Sequence, residues 1–279
     1  MPFPAPASPD VADLRIADLA HRALLDELEA WPKPGLVSPV DSGSHRDMDA
    51  RTLRRSAGAI APFFAELARA GAEDAPLATL RRIGIQAEAA MLAATGGINA
   101  HKGAIFSLGL ICAATARAGT PVSAEALAER VGTLWGREIA RRPASPVTHG
   151  GLAALRYGVG GAGSEAAAGF PAVRAFGLPA LRRGRLLAPG DSQAARIECL
   201  FALMAELDDT NLLHRGGPEG LRFAQAAARE FLDAGGVGVA NWRDRALALH
   251  RAFVAARLSP GGSADLLAVT LFLDSLADG

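Results

Sequence analysis

Three stretches gather side chains whose types and spacing could do chemistry. In TGGINAHKGAIF, Thr95 to Phe106, the pair Gly96 and Gly97 is followed by Asn99, His101 and Lys102 and then by an apolar run to Ala118. This is the pattern of a tight turn opening into a buried helix. Glycine lets the backbone approach a ligand, the free N–H groups of a helix start attract anions, and Lys102 adds a charge in the first turn. The chemistry served would be phosphate binding, although a plain helix start with His101 and Lys102 solvated reads the same way. In LDDTNLLHRGG, Leu207 to Gly217, the groups Asp208, Asp209, Asn211 and Arg215 interrupt an apolar helix, a polar density that is costly without partners. Adjacent carboxylates beside a phosphate site suit Mg2+, a hard ion that takes oxygen ligands. In LSPGGSADLLAVTLFL, Leu258 to Leu273, the opening logic repeats: Gly261, Gly262 and Ser263 precede a very apolar helix with Asp265 in its first turn.

The elements that must position these groups are helices. Apolar residues at Val11, Leu14, Ala17, Leu24, Leu25 and Leu28 predict an amphipathic helix over 10–30, capped by Asp10. WPKPGLV, Trp31 to Val37, breaks it and opens a long polar loop to Asp49 that holds Lys33, Asp41, His45 and Asp47. Helices are expected over 49–71, over 75–94 with Glu88 one turn before its end, over 99–118, and from a Ser123 cap to about residue 142. The connection PASPVTHGG carries His149, and GVGGAG, 158–163, is expected as a flexible loop. No strand precedes that loop, so it is not a dinucleotide fingerprint. A helix from Gly163 has Glu165 in its first turn, and further helices are expected over 171–187, 190–206, 218–234 and 241–257. No segment alternates as a strand would and none repeats at a fixed period. The expectation is an all-α fold: one domain of about ten to twelve helices over 10–279, after a short flexible tail over 1–9.

Composition narrows the function classes. The chain has 279 residues, half of them hydrophobic but only 5% aromatic, so its core must come from Ala, Leu, Val and Ile. With 29 basic and 29 acidic residues, no global field draws it to nucleic acid or an anionic membrane. Any phosphate recognition is therefore local. Cys112 and Cys199 lie in apolar helical stretches, which argues against a disulfide framework or a zinc motif. With no signal peptide and no apolar run long enough for a bilayer, a cytoplasmic protein is expected.

Taken in order, PKPGLV, SGSHRDMD, TGGINAHKGAIF, THG, GSEAAAGFP, LDDTNLLHRGG and SPGGSADLLA resemble the triphosphoribosyl-dephospho-CoA synthases, the ATP:dephospho-CoA triphosphoribosyl transferases of citrate lyase and malonate decarboxylase systems. The likeness extends from about residue 20 to 275 and leans toward the malonate decarboxylase branch. Residue 100 is Ala where many relatives have Thr, and AGSE at 162–165 stands where Arg-Gly-Glu is common.

The resemblance implies that the 2′-hydroxyl of dephospho-CoA attacks the anomeric carbon of ATP and displaces adenine. The product would be the prosthetic-group precursor that a separate transferase loads on an acyl-carrier protein; a homodimer is left open. It implies phosphate or nucleotide contacts at Lys33, Gly96, Gly97, Asn99, Lys102, Asn211, Arg215, Gly261, Gly262 and Ser263. Mg2+ ligands would come from Asp208, Asp209, Asp265 and Glu88. Bases or their partners would come from His101, His149, His45, Glu165 and Asp47, which the sequence does not rank. Two rivals remain: a nucleotide N-glycosidase using water, and a non-catalytic chaperone of the carrier protein.

Overall fold

In the computed structural model, residues 9–119, 122–141 and 148–276 are described. The expected tail over 1–9 falls almost wholly outside them. Asp10 starts α1 (Val11–Glu29) through a reciprocal capping box with Asp13, as its sequence predicts. Then follow α2 (Ala50–Ala72), α3 (Leu77–Thr95), α4 (Lys102–Ala118), α5 (Ala124–Ala140), α6 (His149–Tyr157), α7 (Gly161–Ala167), α8 (Leu178–Leu187), α9 (Ser192–Glu206), α10 (Thr210–Asp233), α11 (Trp242–Ala255) and α12 (Gly261–Ser275). Among the described residues there is no strand, and the twelve α-helices build one all-α domain.

Two helices organise the rest. α4 is buried along Ala104, Ile105, Leu108, Ile111 and Cys112, and α12 along Leu266, Leu267, Val269, Phe272 and Leu273, so neither shows a polar face. α12 packs against α1, α4 and α9, whereas α2 packs its apolar stripe on α1, α3 and α4. The α2–α4 crossing is close because both helices carry small residues there. A Cβ on Gly71 would lie 2.1 Å from the Ala113 carbonyl oxygen, so any larger residue would force the helices apart. Phe201 of α9 and Phe231 of α10 stack with centroids 3.9 Å apart and anchor the second half of the core.

Three expectations change. The 149–157 segment, unassigned from sequence, is α6, started by the Thr148 side chain on the Gly151 N–H. The GVGGAG loop is shorter than expected because α7 already begins at Gly161. The helix expected over 171–187 is irregular: Val173–Gly177 forms a π turn before α8, and Pro179 in the first turn of α8 has no amide hydrogen for a regular bond. The predicted break before residue 218 is present as a kink inside α10, where Gly217 has φ 61° ahead of Pro218.

Candidate active site

The starts of α4, α6, α10 and α12 line one cavity of about 1470 Å³, together with α3, α7 and the loop that follows α1. Segments far apart in the chain therefore meet. Of the residues singled out from sequence, Glu88, Gly97, Asn99, His101, Lys102, Glu165, Asp208, Asp209, Asn211, Arg215, Gly261, Gly262 and Asp265 are on its wall, as are His45 and Asp47. Lys33, Gly96 and Ser263 lie outside the wall. His149 opens α6, and its side chain lies outside the described residues.

The glycine pair at 96–97 does not open α4. Gly96, with φ 68° and ψ 35°, is the left-handed cap that ends α3, and both its N–H and that of Gly97 point back to the Leu92 carbonyl. Their donors are occupied, so these amides offer nothing to a phosphate. α4 starts only at Lys102, where the Asn99 side chain accepts the Lys102 N–H at 3.3 Å. Asn99 thus acts as a helix-start partner.

The other two helix starts are also filled from within. Asp209 is 1% exposed and serves two helices at once. One carboxylate oxygen accepts the Asn211 and Leu212 N–H groups of α10, and the other accepts the Ser263 N–H and hydroxyl of α12 at 2.8 and 3.0 Å. Asp265, from the first turn of α12, reaches the start of α4 in turn. A Cβ on Gly103 would lie 1.9 Å from its Oδ2, and the Ala104 N–H donates to it. Burial first, then the charges of Glu27 and Asp209, push the Asp265 carboxyl well above the usual range, against the pull of that N–H. Burial also raises Asp209, opposed by its amide donors.

Lys33, expected at the phosphates, is fully buried, and its Nζ donates to the Glu27 carbonyl and carboxylate, each at 2.6 Å. Burial lowers its pKa against the attraction of Glu27. His101 is buried, with Nδ1 2.7 Å from the Ser56 hydroxyl; burial and then the Lys33 charge push its pKa down to about 4, so the ring is neutral at pH 7. It is held in place rather than solvated. Lys102 is paired to Glu88 at 2.6 Å, which ties the base of α4 to α3 and engages both side chains.

Other groups remain open toward the cavity. Asp208 is exposed on the wall and makes no hydrogen bond or ion pair among the described residues. Arg81 of α3 is likewise exposed on the wall. Arg215 donates to the Ser44 and Arg257 carbonyls and to the His45 ring, whose Nε2 lies 3.0 Å from the Ser259 hydroxyl. Burial and then Arg215 lower the His45 pKa, with Asp47 opposing them from 3.6 Å. Glu165 accepts the Ala172 N–H at 3.1 Å, and burial raises its pKa, the direction that makes a carboxylate a better base near neutrality.

For a metal ion the donor set is thin but not absent. Among the described residues no three His, Cys, Asp or Glu groups stand together as a cluster. Asp209 is saturated, Asp265 is buried against the start of α4 and Glu88 is paired, which leaves Asp208 with free carboxylate oxygens. That fits an octahedral ion held by one carboxylate, phosphate oxygens and water, not a cage made by protein alone.

Several residues of the site escaped the sequence reading: Glu27, Arg81 and Ser259 on the cavity wall, and Ser56 behind the His101 ring. Glu27 and Ser56 sit inside amphipathic helices where a polar residue looks solvated. Their burial shows only when α1, α2 and α4 are packed together. For Arg81 no sequence signal existed.

A large cavity walled by titratable groups with displaced pKa values marks an all-α enzyme. The profile of the ATP:dephospho-CoA triphosphoribosyl transferase family matches residues 13–279. A probable 2-(5''-triphosphoribosyl)-3'-dephosphocoenzyme-A synthase of Azotobacter vinelandii is 48% identical over 273 residues, 96% of this chain and 93% of the relative. Proteins of the same description from Pseudomonas fluorescens and Stutzerimonas stutzeri are 44% and 43% identical, over 98% and 96% of this chain and 94% and 93% of their own lengths. No solved structure matches. The chain belongs to the ATP:dephospho-CoA triphosphoribosyl transferase family, and it is a transferase.

Proposed function

We propose that this enzyme joins the 2′-hydroxyl of 3′-dephospho-CoA to the anomeric carbon of ATP, in the cytoplasm, as the step that makes the prosthetic-group precursor of malonate decarboxylase. The observation that carries the reading is family membership over nearly the whole chain, with the family-like segments lining one cavity. At about 1470 Å³ it exceeds the size of an ordinary single-ligand pocket, as a site for two nucleotides must.

In the transfer, the bond from the ribose carbon to adenine breaks as the bond to the acceptor oxygen forms, through a sugar with oxocarbenium character. The acceptor proton goes to the Glu165 carboxylate and from it to solvent, while adenine leaves with a proton taken from solvent at a ring nitrogen. Arg81 and Arg215 meet phosphate charge, while Lys102 adds to the field through its pair with Glu88. Asp208 would hold Mg2+, which when bound would neutralise part of the triphosphate charge. Asp209, Ser263 and His101 act by holding the starts of α10, α12 and α4 in place. The product passes to a separate transferase that loads the acyl-carrier subunit.

The test is incubation with ATP and Mg2+, with and without dephospho-CoA, reading free adenine and the mass of the joined product. Adenine release that does not need dephospho-CoA makes the protein an N-glycosidase; carrier binding with no release makes it a chaperone. Glu165→Gln is expected to lower kcat about 100-fold or more, with folding unchanged by circular dichroism. The pathway rests on overall likeness of the motifs to the malonate decarboxylase branch. Loading of the product on isolated malonate decarboxylase and citrate lyase carriers separates the two.

A further inference from the structure

The cavity has two chemically different halves. Around the starts of α10 and α12 its wall is polar. Between α3, α4, α5 and α6 the wall is built from Leu77, Leu80, Ile85, Leu110, Ile139 and Leu155. Two of these apolar side chains are open to the cavity: Ile85 is 54% exposed and Leu155 57%, and both line it. Both are free to be covered by a ligand in the cavity. Within this half, Ser107 of α4 is fully buried and its hydroxyl has no hydrogen-bond partner among the described residues, which is costly in an apolar wall. At the junction of the halves stand Lys102 and Glu88, with Arg81 further along α3.

The length of this half can be read from α4. From Lys102 to Leu110 the helix rises about 12 Å, the span of three to four extended residues. A ligand for it would be a narrow chain, mostly apolar with a few amide groups, attached at one end to an anionic group near Lys102.

We propose that the α3–α4–α5–α6 half of the cavity is the subsite for the pantetheine arm of the acceptor, a peptide-like chain joined through its diphosphate to the adenosine whose 2′-hydroxyl reacts. This rests on the transferase reading and assigns the donor nucleotide to the polar half by difference. The arm's amides give the Ser107 hydroxyl a partner, its methylene and methyl groups cover Ile85 and Leu155, and its diphosphate lies toward Lys102.

Gly84 provides the test. It lies on the cavity wall within α3, and a Cβ added there meets nothing within 4 Å, so a side chain grows into the cavity without disturbing the fold. In Gly84→Phe the KM for dephospho-CoA is expected to rise ten-fold or more with the KM for ATP unchanged. The preference of the enzyme for dephospho-CoA over ADP as acceptor, which the arm provides, should fall by a similar factor. Calorimetric binding of dephospho-CoA without ATP reads the subsite independently of turnover: strong binding by the wild type and a ten-fold loss in Gly84→Phe support it. An equal rise in both KM values, an effect on ATP alone, or no effect at all overturns the subsite. Failure of the wild type to release adenine, with calorimetry still showing the ten-fold loss, would instead remove the transferase reading and leave the subsite standing.

Discussion

The pairs Gly96–Gly97 and Gly261–Gly262 are the same dipeptide before an apolar helix, and they do opposite work. The first ends a helix. Its residues have φ of 68° and 90°, a conformation open to glycine, and its amides close on Leu92. The second starts one, and it is glycine for want of room: a Cβ would lie 2.9 Å from Asn211 Nδ2 at Gly261 and 3.0 Å from Asp209 Oδ1 at Gly262. At one site glycine answers a torsion angle and at the other a close approach. The amides around the second start are directed at an anion, but the anion is the protein's own Asp209. Helix starts that look like phosphate cradles are here used to join α4, α10 and α12 through Asp209 and Asp265, and the open cations sit elsewhere on the cavity.

That contrast can be broken most forcefully at Asp209. Asp209→Ala removes the cap of α10 and leaves the Ser263 donors of α12 buried and unpartnered, so a loss of about 3 kcal/mol or more is expected in urea unfolding. A loss under about 0.5 kcal/mol would mean that the two starts do not depend on it. Next comes Gly103→Ala, whose added carbon would collide with Asp265: about 1–3 kcal/mol of stability should go, with adenine release falling alongside.

Smaller effects sharpen the comparison of the glycine pairs. Gly97→Ala strains a left-handed residue in open space and should cost about 1 kcal/mol in thermal unfolding, whereas the substrate KM values stay near wild type. Gly262→Ala presses on Asp209 at the cavity wall, so it should raise the KM for a nucleotide more than it lowers stability. The reverse pattern would return the phosphate role to the 96–97 turn.

A further expectation concerns pH, and its sign differs between the two kinds of buried group. His101 is held neutral in the fold, with its pKa near 4 against 6.5 when free, so the unfolded chain binds the extra proton and stability falls as pH drops from about 6.5 toward 4. Asp265 is raised, so its contribution is present below the ordinary carboxylate range and is lost as pH rises through its higher folded value. Asp265→Asn should therefore melt at or above the wild-type temperature, with the gap widening toward neutral pH. A gap that narrows toward neutral pH would show that the carboxylate, not the acid, is the form the fold holds.

Much of the fold was legible because local physics repeats along the chain. Asp10, Asp49 and Ser123 are short polar acceptors ahead of apolar periodicity, and each caps the helix expected behind it. The gathering of distant motifs at one cavity was legible only as a resemblance. Lys33 shows why the role of single residues was not: a lysine in a polar loop reads as available, yet it lies fully buried against Glu27 because α1 and the loop after it fold back together. Asp208 and Asp209, adjacent and identical in sequence, end with one open to the cavity and the other enclosed.

The amino-acid order alone determined that this chain is helical, where most of its helices begin and end, and which family it resembles, since propensity, capping and periodicity act over a few residues. Only the tertiary structure decided which donors and carboxylates are free to meet a substrate. A hydrogen-bonding group is filled or open according to what is packed beside it, and for Asp209, Asp265 and His101 those neighbours come from other helices.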